Sequence, residues 1–311
     1  GDEKVVLHDR DIMIVRPLRD GVISEYEVTA RMLDYLIRKA HEQTWVPVPR
    51  PRVVVGIPSG VTEVEKRAVI EATLDAGARE AHLIEEPVAA AIGAGLPVLE
   101  TRGSMIVDIG GGTTDVGVFR RGVLAHSAIL PLGADHVTQD ISQLLRIPPD
   151  EAERVKRQHG VAVPDLAERD VILEVTTPGF SASLSTFELA QVIKPRVMEI
   201  LDLAKRNVEQ NLGALELAAG NVVITGGGSL LPGVEQLAAE RFRLPVRVGT
   251  PHGVSGLTDV VSEPTHATAV GLVRYGMLHG TVRPSSRRAR NAPRETPAAF
   301  QRLRTMLKDF F

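Results

Sequence analysis

The stretch Ser104-Met105-Ile106-Val107-Asp108-Ile109-Gly110-Gly111-Gly112-Thr113-Thr114-Asp115-Val116-Gly117-Val118 decides how the rest of the chain is read. Apolar residues lead into Asp108, the backbone turns through three glycines, and a second apolar run leads out. The pattern predicts a β-hairpin, with strands over 105–107 and 116–119 and a tip over 108–114. Glycines without Cβ let main-chain N–H groups converge on an anion at close range. Asp108, at a strand end, suits a hydrated Mg²⁺, because hard cations favour oxygen ligands and keep their water. Thr113 and Thr114 add hydroxyls. A plain turn that needs flexible residues would look the same locally. The pattern returns, however, more than a hundred residues later, as Val222-Val223-Ile224-Thr225-Gly226-Gly227-Gly228-Ser229. Two apolar strands that each end in a glycine tip predict two related domains gripping one nucleotide between them.

The first tip resembles the second phosphate loop of the actin and heat-shock-chaperone ATPase superfamily, and the later one its adenosine motif. Within that superfamily, Leu83-Ile84-Glu85-Glu86-Pro87-Val88-Ala89-Ala90-Ala91-Ile92-Gly93 followed by 108–114 resembles bacterial actins of the MreB type. The later half is more similar to FtsA, the division actin. The resemblance spans most of residues 1–279. It implies an α/β, actin-like (ribonuclease H-like) fold of two domains around a nucleotide cleft, with ATP and Mg²⁺ as ligands. Domain I is expected over 1–131 and domain II over 132–280. In this reading Gly110, Gly111, Gly112, Thr113, Thr114, Gly226, Gly227 and Gly228 surround the nucleotide, and Asp108 faces the metal.

Actin-like ATPases open with a hairpin whose Asp and Gly form a first phosphate loop, and nothing over 1–15 resembles it. Residues 16–23, Arg-Pro-Leu-Arg-Asp-Gly-Val-Ile, look like a segment that follows that hairpin in MreB. The expectation is a fragment that lacks the first strands. Weak ATPase activity is expected only where the full chain supplies that loop.

Residues 25–42 predict an amphipathic helix, with Met32, Leu33, Leu36 and Ile37 on one face. Residues 53–57 predict a short apolar strand. Thr62 then caps a helix to about 75, with Glu63 and Glu65 near its positive end. Residues 81–84 form the next strand, and Pro87 opens another helix. This alternation belongs to a mostly parallel sheet.

Glu86 has two readings. As structure, it is a carboxylate favoured at a helix start. By the resemblance, it orients the water that attacks a γ-phosphate, with Thr113 as its partner. Glu85 reads as structural, and so does His136, which has no second ligand at metal spacing. Glu153 and Lys156 lie on one face of a helix with acids first and bases last. The resemblance puts the same two residues against the ribose and adenine. Residues 161–185 are partly β. Ser185-Thr186-Phe187-Glu188 is a capping box that opens a long helix to about 211, and 264–277 predict an apolar helix rich in small residues.

The formal charge is −3, yet residues 281–311 carry eight Arg/Lys against two acids, so residues 1–280 carry −9. An acidic body gives no basis for nucleic-acid binding, and a basic end points to an anionic partner. The chain has no cysteine, which excludes disulfides and thiolate metal sites. No apolar run reaches the eighteen or so residues of a spanning helix, and the opening residues carry no signal-peptide pattern. Residues 281–298 predict a disordered basic linker. In 299–311, Phe300, Leu303, Met306, Leu307, Phe310 and Phe311 fall in an arc of roughly 140° on a helical wheel. Such a helix on a tether predicts an in-plane anchor on an anionic membrane; FtsA proteins end in a similar one. The expected protein is a filament-forming actin homologue on the inner face of the cytoplasmic membrane, acting with other division or shape proteins. A membrane adaptor that hydrolyses little, or a chaperone or sugar-kinase relative, are the alternatives.

Overall fold

The computed structural model describes residues 26–41 and 50–279, except 99–100, 102, 169–170, 178–179 and 254–259, and gives the backbone of short strands within 4–23. Among those strands, β1 (Lys4–His8) pairs antiparallel with β2 (Asp11–Val15), and β3 (Leu18–Arg19) with β4 (Val22–Ile23). The linker and amphipathic helix expected over 281–311 lie outside the described residues.

Helix α1 (Tyr26–His41) follows where its periodicity predicts. Strands β5 (Arg52–Ile57) and β6 (Glu80–Glu85) are parallel neighbours, connected through α2 (Glu63–Asp75). Thr62 starts α2 with a reciprocal cap: its hydroxyl accepts from the Glu65 N–H at 3.3 Å, and the Glu65 carboxylate accepts from the Thr62 N–H at 2.7 Å. Helix α3 (Glu86–Gly93) continues directly from β6, with Pro87 in its first turn, where a missing N–H costs nothing.

The glycine stretch folds as predicted, into the hairpin of β7 (Ser104–Ile109) and β8 (Thr114–Arg120). Strand β9 (Val123–Leu130) extends it. Then come α4 (Ala134–Leu145), α5 (Pro149–His159), the hairpin of β10 (Ile172–Thr177) and β11 (Phe180–Ser185), and the long α6 (Thr186–Leu212), started by the Ser185–Glu188 capping box. Helix α7 (Leu215–Ala218), β12 (Val222–Thr225), α8 (Val234–Phe242), β13 (Val246–Val248) and α9 (Ala267–His279) complete the order.

One sheet of order β13-β12-β7-β8-β9 contains both glycine strands. Strand β12 runs parallel to β7 with Thr225 beside Asp108, so the two tips emerge side by side from one sheet end. They do not face each other from two domains, as the repeat in sequence predicts. A boundary between 131 and 132 would also divide this sheet, because β7–β9 lie before it and β12–β13 after it.

The pleat sends alternate residues to opposite faces. Met105, Val107, Val116 and Val118 join a core with Ile193, Val197 and Leu201 of α6. Ile106, Phe119 and Val223 join a second core with α3 and α9. Helices α3 and α9 meet backbone to backbone. A Cβ on Gly93 would stand 1.7 Å from the Ala267 carbonyl oxygen, and one on Gly271 would stand 1.8 Å from that of Ala89.

Candidate functional site

Each tip is held by close backbone approach. The first is tied to the start of α4: Gly110 and Gly111 carbonyls accept from the Ala134 and Asp135 N–H groups, both at 2.9 Å. A Cβ on Gly133 would stand 2.3 Å from the Gly111 oxygen, so α4 can come this near only behind a glycine. Gly111 and Gly112 are exposed, and Thr113 is half-buried. The second tip begins at Gly226, whose φ of +80° favours glycine. Its missing Cβ would lie 2.2 Å from Asp108 Oδ1, and that of Gly228 2.3 Å from Ile109 Cγ2. The second tip therefore touches the strand end that carries the first, and a side chain at Gly226 or Gly228 would part them.

A cavity of about 450 Å³ opens beside them, lined by Gly110, Gly111, Glu153, Lys156, Gly227 and Gly228, with Leu231 and Val234 among its apolar walls. Lys156 is buried, and its ammonium donates to Glu153 at 2.6 Å, to Thr138 Oγ1 at 2.7 Å and to the Ala134 carbonyl at 3.1 Å. Burial alone would raise the Glu153 carboxyl; bonds from Lys156 and Thr138, and then from Arg157, hold it below its ordinary value instead. The pair expected from the sequence is thus brought to the cavity, as a locked wall anchored to α4.

The opposite face of the same sheet end carries carboxylates. Asp108 accepts from Thr268 Oγ1 of α9 at 2.5 Å. Burial raises its carboxyl, and the Thr268 bond offsets part of that rise. Asp115 is Asp108's neighbour across the β7–β8 pair and is 6% exposed. Its Oδ1 finds no hydrogen-bond partner among the described residues. Burial first, and then the charges of Glu86 and Asp108, push Asp115 up to about 8. Glu86 stands at the start of α3, half-buried, and is raised by burial and then by Asp108. Its neighbour Glu85 accepts from Ser59 at 2.9 Å and Ser127 at 3.0 Å, the structural part read for it. His136 also has a structural part, with Nδ1 accepting from the Gly133 N–H at 3.1 Å.

Thr114 differs from its expected role. It is fully buried, and its hydroxyl donates to the Leu132 carbonyl at 2.7 Å, so it braces the tip from behind. Sequence reasoning missed Asp115, Thr268 and Asp135. Asp115 could have been found by pairing residues outward from the tip; nothing local marks Thr268. Among the described residues no three His, Asp or Glu side chains form a ready metal cage, and no helix is long and apolar enough to cross a membrane. The membrane-binding residues expected over 300–311 lie outside the described residues.

Comparison with known proteins gives consistent matches. A family profile described as MreB/Mbl protein matches residues 4–263. The cell shape-determining protein MreB of Escherichia coli (strain K12) is 38% identical over 252 residues, covering 76% of this chain and 72% of that protein. Cell division protein FtsA of Pseudomonas aeruginosa is 40% identical over 177 residues, 56% of this chain and 42% of that protein. The crystal structure of MreB5 of Spiroplasma citri bound to ADP superposes with a TM-score of 0.70 at 24% identity, covering 87% of this chain and 80% of that one. A MamK double helical filament gives 0.64 at 21% identity, covering 86% and 81%. The two structural likenesses show an actin-like fold. With the profile and the sequence relatives beside them, the chain belongs to the MreB/Mbl family.

Proposed function

We propose that this protein is an ATP-binding actin homologue that assembles into filaments at the inner face of the cytoplasmic membrane and acts in maintaining cell shape. The observation that carries the nucleotide reading is the junction of two side-by-side glycine tips, with an apolar-walled cavity on one side and Glu86, Asp108 and Asp115 on the other. Family membership and the ADP-bound MreB5 relative support it. The filament reading rests on the family and on the MamK assembly. The membrane reading rests on the composition of residues 281–311.

The lobes divide near residue 103 in this reading. One comprises α1–α3, β5, β6 and α9, and the other the five-stranded sheet with α4–α8. The nucleoside fills the cavity beside Glu153 and Lys156. The phosphates meet the N–H groups of the exposed tip at Gly111 and Gly112, where oriented backbone dipoles favour an anion. The donor set fits Mg²⁺: all oxygen, with a buried orphan Asp115 oxygen and no ion pair to Asp108 among the described residues. Asp108 would hold the ion, in part through its water, and the ion would neutralise phosphate charge. Glu86 would accept a hydrogen bond from the attacking water and hold it in line.

The test is calorimetry and phosphate release on the full chain. Asp108→Ala is expected to weaken Mg²⁺-dependent ATP binding by about tenfold or more. Glu86→Ala should retain binding and lose roughly 100-fold in turnover, since a group needed only on the way to the transition state leaves the ground state alone. Unchanged affinity in the first variant, or matched loss of binding and turnover in the second, overturns these assignments.

A further inference from the structure

Asp108 is confined from two sides by elements of different lobes. Its Oδ2 accepts from the Thr268 hydroxyl at 2.5 Å, and its Oδ1 lies where a Cβ on Gly226 would stand at 2.2 Å. Thr268 is the second residue of α9, a helix otherwise packed on α3 and β5. Its hydroxyl hydrogen goes to a residue 160 positions away in the chain. The start of α9 is itself located by Thr225, whose hydroxyl reaches the Gly249 and Pro264 carbonyls at 2.9 and 3.1 Å. Thr225 is Asp108's neighbour in the sheet, so donor and acceptor hang from adjacent strands.

We propose that Thr268 is a positioning residue for the divalent cation: its hydroxyl fixes the plane of the Asp108 carboxylate, so that the remaining lone pairs face the cleft and receive the ion or its water. The inference rests on the reading of Asp108 given under the proposed function. A hydrogen-bond donor behind a ligating carboxylate removes rotational freedom that metal binding would otherwise have to freeze, and it favours the ionised form. The bond also joins the lobe of α9 to the sheet that bears the tips, so the ion's ligand is shared between the two.

Valine keeps the shape of threonine and loses the donor; serine keeps the donor and loses a methyl group. The full-length chain is titrated with Mg²⁺ at fixed fluorescent ATP, and binding in EDTA and urea midpoints are measured alongside. Thr268→Val is expected to raise the Mg²⁺ midpoint by roughly tenfold or more while leaving binding in EDTA unchanged. Thr268→Ser should stay near wild type. A residue that merely packs gives the reverse order, with serine, which leaves a hole, the more damaged. That order, or a valine variant with the wild-type Mg²⁺ midpoint, overturns the inference while leaving the cleft assignment standing. A wild-type chain that binds ATP without regard to Mg²⁺ overturns the role of Asp108 and this inference with it.

Discussion

Asp115 faces Asp108 across an antiparallel pair, and residues so placed point to the same side of the sheet. With Glu86 nearby, three carboxylates share one low-dielectric corner, and Asp115 has no bond to one of its oxygens. Its folded value of about 8 stands against 3.8 for an unperturbed carboxyl. The unfolded chain therefore releases this proton first, and raising the pH favours unfolding between those two values. Thermal melts of the nucleotide-free protein should show stability falling across pH 5–8, and Asp115→Asn should flatten the slope; parallel slopes for the two proteins would contradict this. At this scale the sequence was informative where a residue's neighbours are also its neighbours in the chain. Asp108, Glu86 and the glycines stand at the strand and helix ends where the local pattern puts them. Asp115 requires the hairpin register, and Thr268 requires knowing which distant helix passes overhead. Thr114 misled because a hydroxyl at a tip looks the same whether it points at a ligand or back at Leu132.

Among elements, periodicity and capping were readable: α1, α2 and α6 begin and end within about two residues of their predicted bounds, inside the usual scatter of helix termini. Adjacency was not. That β12 lies beside β7 depends on a crossover through α6 and α7, and no local pattern encodes it. The meeting of α3 with α9 was foreshadowed only by the small residues of 264–277, and it supplies a test. Replacing Gly271 by Ala improves helix propensity by about 1 kcal/mol. Its Cβ, however, would lie 1.8 Å from the Ala89 oxygen and 3.0 Å from the Gly93 nitrogen. Relieving that overlap moves two packed backbones and should cost about 1–3 kcal/mol net, read as a lower urea midpoint. Gly112→Ala, where nothing lies within 4 Å of the added carbon, serves as the control and should leave the midpoint unchanged. Equal stability of the two variants would show that α3 and α9 separate freely.

The whole molecule pairs an acidic body with a basic end, and that contrast sets its expected behaviour at a membrane. In the proposed anchor over 299–311, each large apolar side chain would contribute about 1.5–3 kcal/mol if fully buried. Arg302, Arg304 and Lys308 would add roughly 1 kcal/mol each at an anionic surface, less in high salt. Leu303→Glu should lower co-sedimentation with anionic liposomes by about tenfold or more without changing the melt of the body. A chain truncated at Gly280 that still sediments like the intact one would remove the anchor from the proposal. The root of that segment is α9. Its thirteen residues make a rod of about 20 Å. Thr268 lies near one end, His279 at the other, and the backbone contact at Gly271 lies between them, nearer the first. The far half is held as well, because Arg274 donates to the Ile92 carbonyl at 2.7 Å and the His252 carbonyl at 2.9 Å. Any shift at Asp108 would therefore move α9 and α3 as one rigid piece, and reach undiminished the end where the basic segment begins.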